Sequence, residues 1–371
     1  MIGLSRYIVV LLGVLACVVI VLSLGRAGEV MPATSVALDE APPPVVMTEE
    51  DRAFEQELEE IGAALDGQVG IAVVDVDTNK TYEFNGDDLL PQQSVSKLWV
   101  SMAALALVDE DAFDLNERVV IGPDDLTLFH QPIREIVKAR GAFVTDYAEL
   151  MDRALTRSDN TANDTILRRV GGPGKVQAWM DENRIKGVRF GTDERTKQSA
   201  IAGLQWRQYY STGRGFYDAR DAVPDAQRRA AFEAYHADPI DGATASGMAQ
   251  ALARLARGRL LSPNSTAYLR EVLSNTRSGP RRLKGGVPAG WSIDHKTGTG
   301  QFLDGEQSGY NDVGILTAPD GHEYAIATMI GRTRASYAAR MEMMQAVVRA
   351  TVAFHDAGED SKEGEDERPA A

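Results

Sequence analysis

Apolar residues follow three different rhythms along the 371-residue chain. The first is an unbroken run, Tyr7 to Leu24, directly behind Arg6. Eighteen residues at 1.5 Å rise span about 27 Å, close to the ~30 Å of a bilayer core. An uncleaved membrane anchor accounts for this run. So does a signal peptide over 1–27, cut at the small-x-small triplet Gly25-Arg26-Ala27. Either reading predicts a periplasmic or other extracytoplasmic domain, and membrane contact only if the helix is kept. Lipidation at Cys17 fits less well, because Val18 to Leu22 continue the apolar run past it. Residues 28–50, with Pro32 and Pro42-Pro43-Pro44, read as a linker.

The second rhythm is helical. Phe54, Leu58, Ile61 and Leu65 recur at helix spacing and predict a helix over 51–65. The same spacing predicts helices over 94–108, 147–156, 161–170, 174–183, 244–257 and 335–354. The third rhythm is β-like. Gly70 to Val76 and Lys80 to Phe84 flank the turn Asp77-Thr78-Asn79. Trp291–Thr297, Asp312–Thr317 and Tyr324–Ile330 read as three more strands, the last two joined through Pro319-Asp320-Gly321.

The order helix, two strands, many helices, three strands, helix predicts an α+β fold. One antiparallel five-stranded sheet is built from both ends of the folded region, 51–90 and 285–356. Terminal helices flank it, and an all-helical lobe, 91–284, is inserted. A cleft between the lobes is the expected site. Residues 357–371 are polar and acidic and predict a disordered tail.

Composition narrows the function classes. With 44% hydrophobic and 25% charged residues, the chain is neither disordered throughout nor fibrous. The net charge of −15 is concentrated in two segments, 48–60 with −6 and 356–371 with −5. No basic patch is left to neutralise phosphates, so nucleic acid is not an expected partner. Cys17 is the single cysteine, which excludes disulfides and thiolate metal sites in the folded domain. The histidines, at 130, 236, 295, 322 and 355, show no metal-binding spacing, so neither metal nor cofactor is expected.

Three short motifs carry chemistry. Ser94-Val95-Ser96-Lys97 opens an apolar helix and puts a lysine beside a serine. A desolvated lysine can serve as the base a nucleophilic serine needs. Unpaired N–H groups of the same helix terminus suit an oxyanion. Ser158-Asp159-Asn160 follows one helix and precedes the next, so Ser158 or Asp159 is a candidate N-cap. Lys296-Thr297-Gly298-Thr299-Gly300 ends a strand, with glycines that allow close backbone approach. Each alone is a common pattern.

Together and in this order, S-x-x-K, S-D-N and K-T-G form a signature set. On these motifs the chain resembles the class A serine β-lactamases over about residues 52–355. VGIAVVDVDTNKTYEFN (69–85) is similar to that family's first hairpin. SDNTANDTILRRVGGPGKV (158–176) is similar to its central helix, and VPAGWSIDHKTGTG (287–300) and NDVGILTAPDG (311–321) to its inner strands.

The resemblance implies an acyl-enzyme route to hydrolysis of the β-lactam amide. Ser94 would be acylated, Lys97 would accept or relay its proton, and Ser158 would pass it to the leaving nitrogen. Lys296 would hold the field over Ser158 and the substrate carboxylate, which Thr297 and Thr299 would bind. Asn160 would take the amide of the substrate side chain. Glu194, 36 residues after Ser158, would activate the deacylating water with Gln198 as co-ligand. Arg281 would supply the further arginine that many members aim at the carboxylate. The partner implied is a small-molecule β-lactam, and the expected state is a monomer.

Two departures stand out. The arginine that commonly pins the Glu-bearing loop is missing; Asp241 is its surviving acidic partner and Arg195 the candidate substitute. The stretch 199–237, with Trp206, Tyr209, Tyr210 and Tyr217, is longer than the usual connection and could wall the cleft or pack outside it. A D,D-peptidase-like or other envelope amide hydrolase, and an anchored β-lactam sensor, are the alternatives. The sensor requires a dead deacylation site, against which Glu194 argues.

Overall fold

The computed structural model describes residues 46–366, with side chains to 358. The apolar run at 7–24 and most of the expected linker lie outside the described residues. Among the described residues no helix is long and apolar enough to cross a membrane.

In chain order the elements are α1 (Glu49–Ala63), β1 (Gly67–Asp75), β2 (Thr81–Phe84), β3 (Leu90–Pro91) and α2 (Lys97–Asp109). Next come β4 (Arg118–Ile121), α3 (Ile133–Arg140), β5 (Phe143–Asp146), α4 (Tyr147–Thr156), α5 (Asn160–Val170) and α6 (Pro173–Glu182). Then follow α7 (Glu194–Ile201), α8 (Gly215–Asp221), α9 (Asp225–Ala237), β6 (Gly242–Ala243), α10 (Ala245–Ala256) and α11 (Pro263–Ser274). The last are β7 (Ser292–Thr299), β8 (Phe302–Leu303), β9 (Glu306–Thr317), β10 (Glu323–Thr333) and α12 (Tyr337–Asp366).

The main sheet is antiparallel and built from both ends of the folded region, as the sequence pattern predicted, and its strand order is β2-β1-β10-β9-β7. Its sixth member, β8, is a two-residue strand folded back on β9 and too short to show a period of its own. Both faces of the sheet are covered, which is why GIAVVDV lacks a polar alternation. Because side chains alternate across a strand, Ile71 and Val73 pack with Phe54, Leu58, Met344 and Val347 of the terminal helices α1 and α12. Ala72 and Val74 point the other way, into the helical lobe with Leu98, Met102 and Leu252.

α1 starts at Glu49, two residues before the predicted boundary. Thr48 and Asp51 cap each other there in a reciprocal box at 2.7 and 3.1 Å. α12 runs to Asp366, through most of the segment predicted to be a disordered tail. α2 is buried at nine successive positions, Lys97 to Leu105, as expected of a helix apolar on all sides. It forms the axis of the helical lobe and brings its charged first residue into the interior.

Candidate active site

Ser94 lies on a 3-10 turn, Gln93–Ser96, and α2 begins only at Lys97. The sequence placed both on one α-helical turn. The tighter turn still stacks positions three apart, and Lys97 Nζ donates to Ser94 Oγ at 2.7 Å. The same ammonium is 3.1 Å from Glu194 Oε1. Burial pulls the Lys97 pKa below the ordinary lysine value, against the opposing pull of Glu194.

Asp159, rather than Ser158, is the N-cap of α5, accepting from Ala162 N at 3.1 Å. Ser158 is thereby left outside the helix, with a left-handed φ of 58°, and accepts from Lys296 Nζ at 3.2 Å. Burial, reinforced by the charge of Lys97, holds the Lys296 pKa well below its usual value. Asn160 donates Nδ2 to Leu128 O at 2.9 Å, while its buried Oδ1 has no partner among the described residues. Gln93 (φ 55°) and Phe129 (φ 57°) share the left-handed region with Ser158. Three such residues around one cavity, each costing about 1–3 kcal/mol, mark a site held in place by its surroundings.

β7 brings the third motif to the opposite wall. A Cβ on Gly298 would lie 2.4 Å from Gln92 O, so only glycine lets the strand approach the serine turn this closely. Thr297 Oγ1 is 2.7 Å from Ser278 Oγ, and Thr299 Oγ1 accepts from Arg282. The cavity, of about 400 Å³, is lined by Ser94, Phe129, Ser158, Asn160, Gln198, Arg282, Thr297 and Thr299 among others.

Arg281 is not in this wall. It is exposed, and Arg282 takes the place that the sequence reading gave it. The physical reason is the turn into the 3-10 segment Leu283–Gly286, which directs 282 inward. Its guanidinium donates to Gly298 O at 2.8 Å and Asn311 O at 2.7 Å and lies 3.8 Å above the Tyr310 ring.

α7 carries Glu194, buried, as its first residue. Glu194 Oε2 accepts from Gln198 Nε2 at 3.3 Å, and Asp164 Oδ1 takes the Glu194 N–H at 3.0 Å. Burial, with Asp193 and Glu194 nearby, pushes the Asp164 carboxyl up to about 7. Burial alone would also raise Glu194, but Lys197 and then Lys97 more than offset it and hold the carboxyl at about 2.

The cation beside Asp241 is Lys197, at 3.1 Å, and not Arg195. Helix spacing decides this: Lys197 shares the inward face of Glu194 three residues on. Arg195 turns out to Asp164 (3.8 Å) and the face of Trp206 (5.5 Å). Lys197, Asp164 and Arg282 were all missed from sequence. For Lys197, a lysine one turn beyond a buried acid was the readable signal.

Among the described residues that line the cavity, none comes from 199–237. That stretch packs against α7 and against the Leu128–Phe129 segment, where the rings of Phe216 and Tyr217 lie 5.0 and 6.5 Å from the ring of the cavity-lining Phe129. Gln131 Nε2 reaches Ser211 O at 2.9 Å on one flank, and Arg332 on β10 pairs with Glu233 at 2.6 Å on the other.

A family model described as the β-lactamase enzyme family matches residues 53–354. The β-lactamase VEB-1 of Pseudomonas aeruginosa is 24% identical over 278 residues, 75% of this chain and 82% of that one. The extended-spectrum β-lactamase PER-1 of the same organism is 26% identical over 279 residues, 75% and 79% of the two chains. A crystal structure of a β-lactamase from Chitinophaga pinensis DSM 2588 superimposes with a TM-score of 0.66 at 26% identity, covering 82% of this chain and 99% of that one. The TLA-1 extended-spectrum β-lactamase gives 0.67 at 22%, covering 82% and 98%, a likeness of fold. With the three motifs gathered on one cavity and the match spanning nearly the whole folded region, the chain belongs to the class A β-lactamases, hydrolases of β-lactams.

Proposed function

We propose that the chain hydrolyses the β-lactam amide through an acyl-enzyme on Ser94 that a Glu194-activated water releases. The observation that carries this is one ammonium, Lys97 Nζ, within 2.7 Å of Ser94 Oγ and 3.1 Å of Glu194 Oε1. In its neutral form, favoured by burial, Lys97 takes the hydroxyl proton as Oγ bonds to the lactam carbonyl carbon. Ser158, held by Lys296, gives its hydroxyl proton to the nitrogen as the C–N bond breaks and takes the proton held by Lys97 in its place, so that both groups end as they began. The N–H groups of Ser94 and Thr299 bind the oxyanion, a role in which one donor is worth on the order of 10²–10³ in rate.

The unpartnered Asn160 Oδ1 accepts the side-chain amide N–H of the substrate. Thr297, Thr299 and Arg282 take its carboxylate. Glu194 Oε2, steadied by Gln198, removes a proton from water as the water attacks the ester carbonyl; the ester C–O bond then breaks and the proton passes from Glu194 to Ser94 Oγ through Lys97, which contacts both. The apolar run behind Arg6 supports export, with the domain free or tethered. Export and the 199–237 stretch prompted the peptidase reading; the stretch supplies no lining residue of the cavity among the described residues and meets it through Phe129.

A time course with a chromogenic cephalosporin, read by absorbance and intact mass together, tests the scheme. Continuous turnover with little adduct is expected. Ser94→Ala should give neither turnover nor adduct, and Glu194→Gln should accumulate a single acyl adduct. Labelling of Ser94→Ala would overturn the nucleophile, and undiminished turnover by Glu194→Gln would overturn the base.

A further inference from the structure

The site holds one more buried charge than its motifs explain. Lys197 is 2% exposed and lies outside all three motifs. Its Nζ is 3.2 Å from Glu194 Oε1, 3.1 Å from Asp241 Oδ2 and 3.3 Å from Gln93 O. A longer contact to Ser96 Oγ, at 3.5 Å, completes a wholly polar surrounding for the ammonium. Glu194 Oε1 is therefore shared by two lysines, Lys97 and Lys197, while Oε2 is left to Gln198, which lines the cavity. Gln93, which precedes Ser94, is held by the same group. Its N–H donates to Asp241 Oδ2 at 2.9 Å, and its Nε2 donates to Tyr235 OH at 2.9 Å. Tyr235 in turn donates to Asp241 Oδ1 at 2.7 Å.

We propose that Lys197 is a positioning residue of the reaction, a standing counter-ion that fixes Glu194 and frees Lys97 to give up its proton. The inference rests on the reading of Glu194 and Lys97 as the site's bases. If Lys97 were the sole cation on Glu194, losing its proton would strand a buried carboxylate, a costly state. With Lys197 in place, Glu194 remains paired when Lys97 is neutral. The charged and titratable groups facing this cluster are Lys97 from α2, Asp164 from α5, Asp241 before β6, Tyr235 from α9 and, beyond Lys97, Lys296 from β7. Of these, Asp241 and Glu194 hold Lys197 in its charged form although burial opposes it.

The test compares wild type, Lys197→Met, Lys197→Arg and Glu194→Gln in the full chain, using kcat/KM against pH with a chromogenic cephalosporin. The acid limb belongs to the Lys97–Glu194 pair and is read as an apparent value. Lys197→Met should move that limb up by at least about one pH unit, a roughly ten-fold loss at a pH below it. Lys197→Arg should restore it. An unmoved limb in Lys197→Met overturns the proposal even if the maximal rate falls, and so does an equal shift in Lys197→Arg. Should Lys197→Met not fold, Lys197→Met/Asp241→Asn removes the unpaired acid and carries the same expectation. Glu194→Gln separates the two failures. If it traps the adduct and the limb does not move, the Lys197 inference alone fails. If it turns over normally, the reading of the base fails.

Discussion

Gly298→Ala puts one methyl group where β7 passes the serine turn. The new Cβ would sit 2.4 Å from Gln92 O, whereas ordinary contact begins at 3.4 Å. The strand and the turn must therefore part by about 1 Å. Gln92 O cannot swing away freely, because Asn311 Nδ2 donates to it at 3.0 Å and to Pro91 O at 2.7 Å. The flanking contacts, Val95 Cγ2 at 3.2 Å and Asn311 Nδ2 at 3.3 Å, are also tight. Overpacking of this kind costs about 1–3 kcal/mol. That corresponds to a Tm loss on the order of 2–10 °C for a domain this size. The effect on chemistry should be larger than the effect on stability. The N–H groups of Ser94 and Thr299 stand on opposite sides of this junction, and a misplacement of about 1 Å can cost 10²-fold. Stopped-flow acylation with a chromogenic cephalosporin, beside a thermal melt, measures both. A variant that melts within about 10 °C of wild type yet acylates at least 30-fold more slowly is expected on those magnitudes. Acylation within three-fold of wild type would refute the claim that this glycine sets the geometry of the oxyanion site.

Arg282→Ala should lower kcat/KM for carboxylate-bearing β-lactams about 10- to 100-fold, the equivalent of one lost charged hydrogen bond. Arg281→Ala should leave it within two-fold, and steady-state kinetics on the two variants decides which arginine faces the substrate. Asp51 takes Lys80 Nζ and Tyr82 OH, both at 2.6 Å; burial alone would raise its carboxyl, but these contacts bring it below its ordinary 3.8. A depressed acid stabilises above its unfolded value, so the Tm gap between wild type and Asp51→Asn should be full at pH 7 and shrink below about pH 4. A gap independent of pH would exclude the charge as its origin.

What could be read from the chain was local. Ser94 with Lys97, and the K-T-G run, sit within one turn or one strand, so spacing alone suffices to pair their residues. The two-layer covering of the sheet was also legible, since 70–76 is apolar on both faces and terminal helical patterns were available to cover one of them. Misreadings arose where a single residue of register decides direction. Arg281 and Arg282 differ by one position at the entrance to a 3-10 turn, and no periodicity distinguishes them. Lys197 finds Asp241 only after α7 has been folded against the segment before β6. Arg195 is as close in sequence and carries the same charge, so helix geometry rather than composition made the choice. The 199–237 stretch advertised aromatic residues suited to a cleft wall, yet Tyr210 and Phe216 are spent on a small core of their own with Leu128 and Ala202.

The strand order has a consequence for how such a chain acquires activity. β1 is bonded to β10, pairing Gly67 with Thr333 across 265 intervening positions. Its other neighbour is β2 alone, and a two-stranded hairpin is marginal in water. The N-terminal strands thus wait for the last strand to be made, and loop closure over that distance is slow. The helical lobe holds Ser94, Ser158 and Glu194, but Lys296 and Thr299 arrive on β7, in the same late group. Synthesis up to residue 290 therefore yields most of the named catalytic side chains and no enzyme. Completion of the sheet, rather than formation of the serine turn, is the moment at which the molecule becomes reactive.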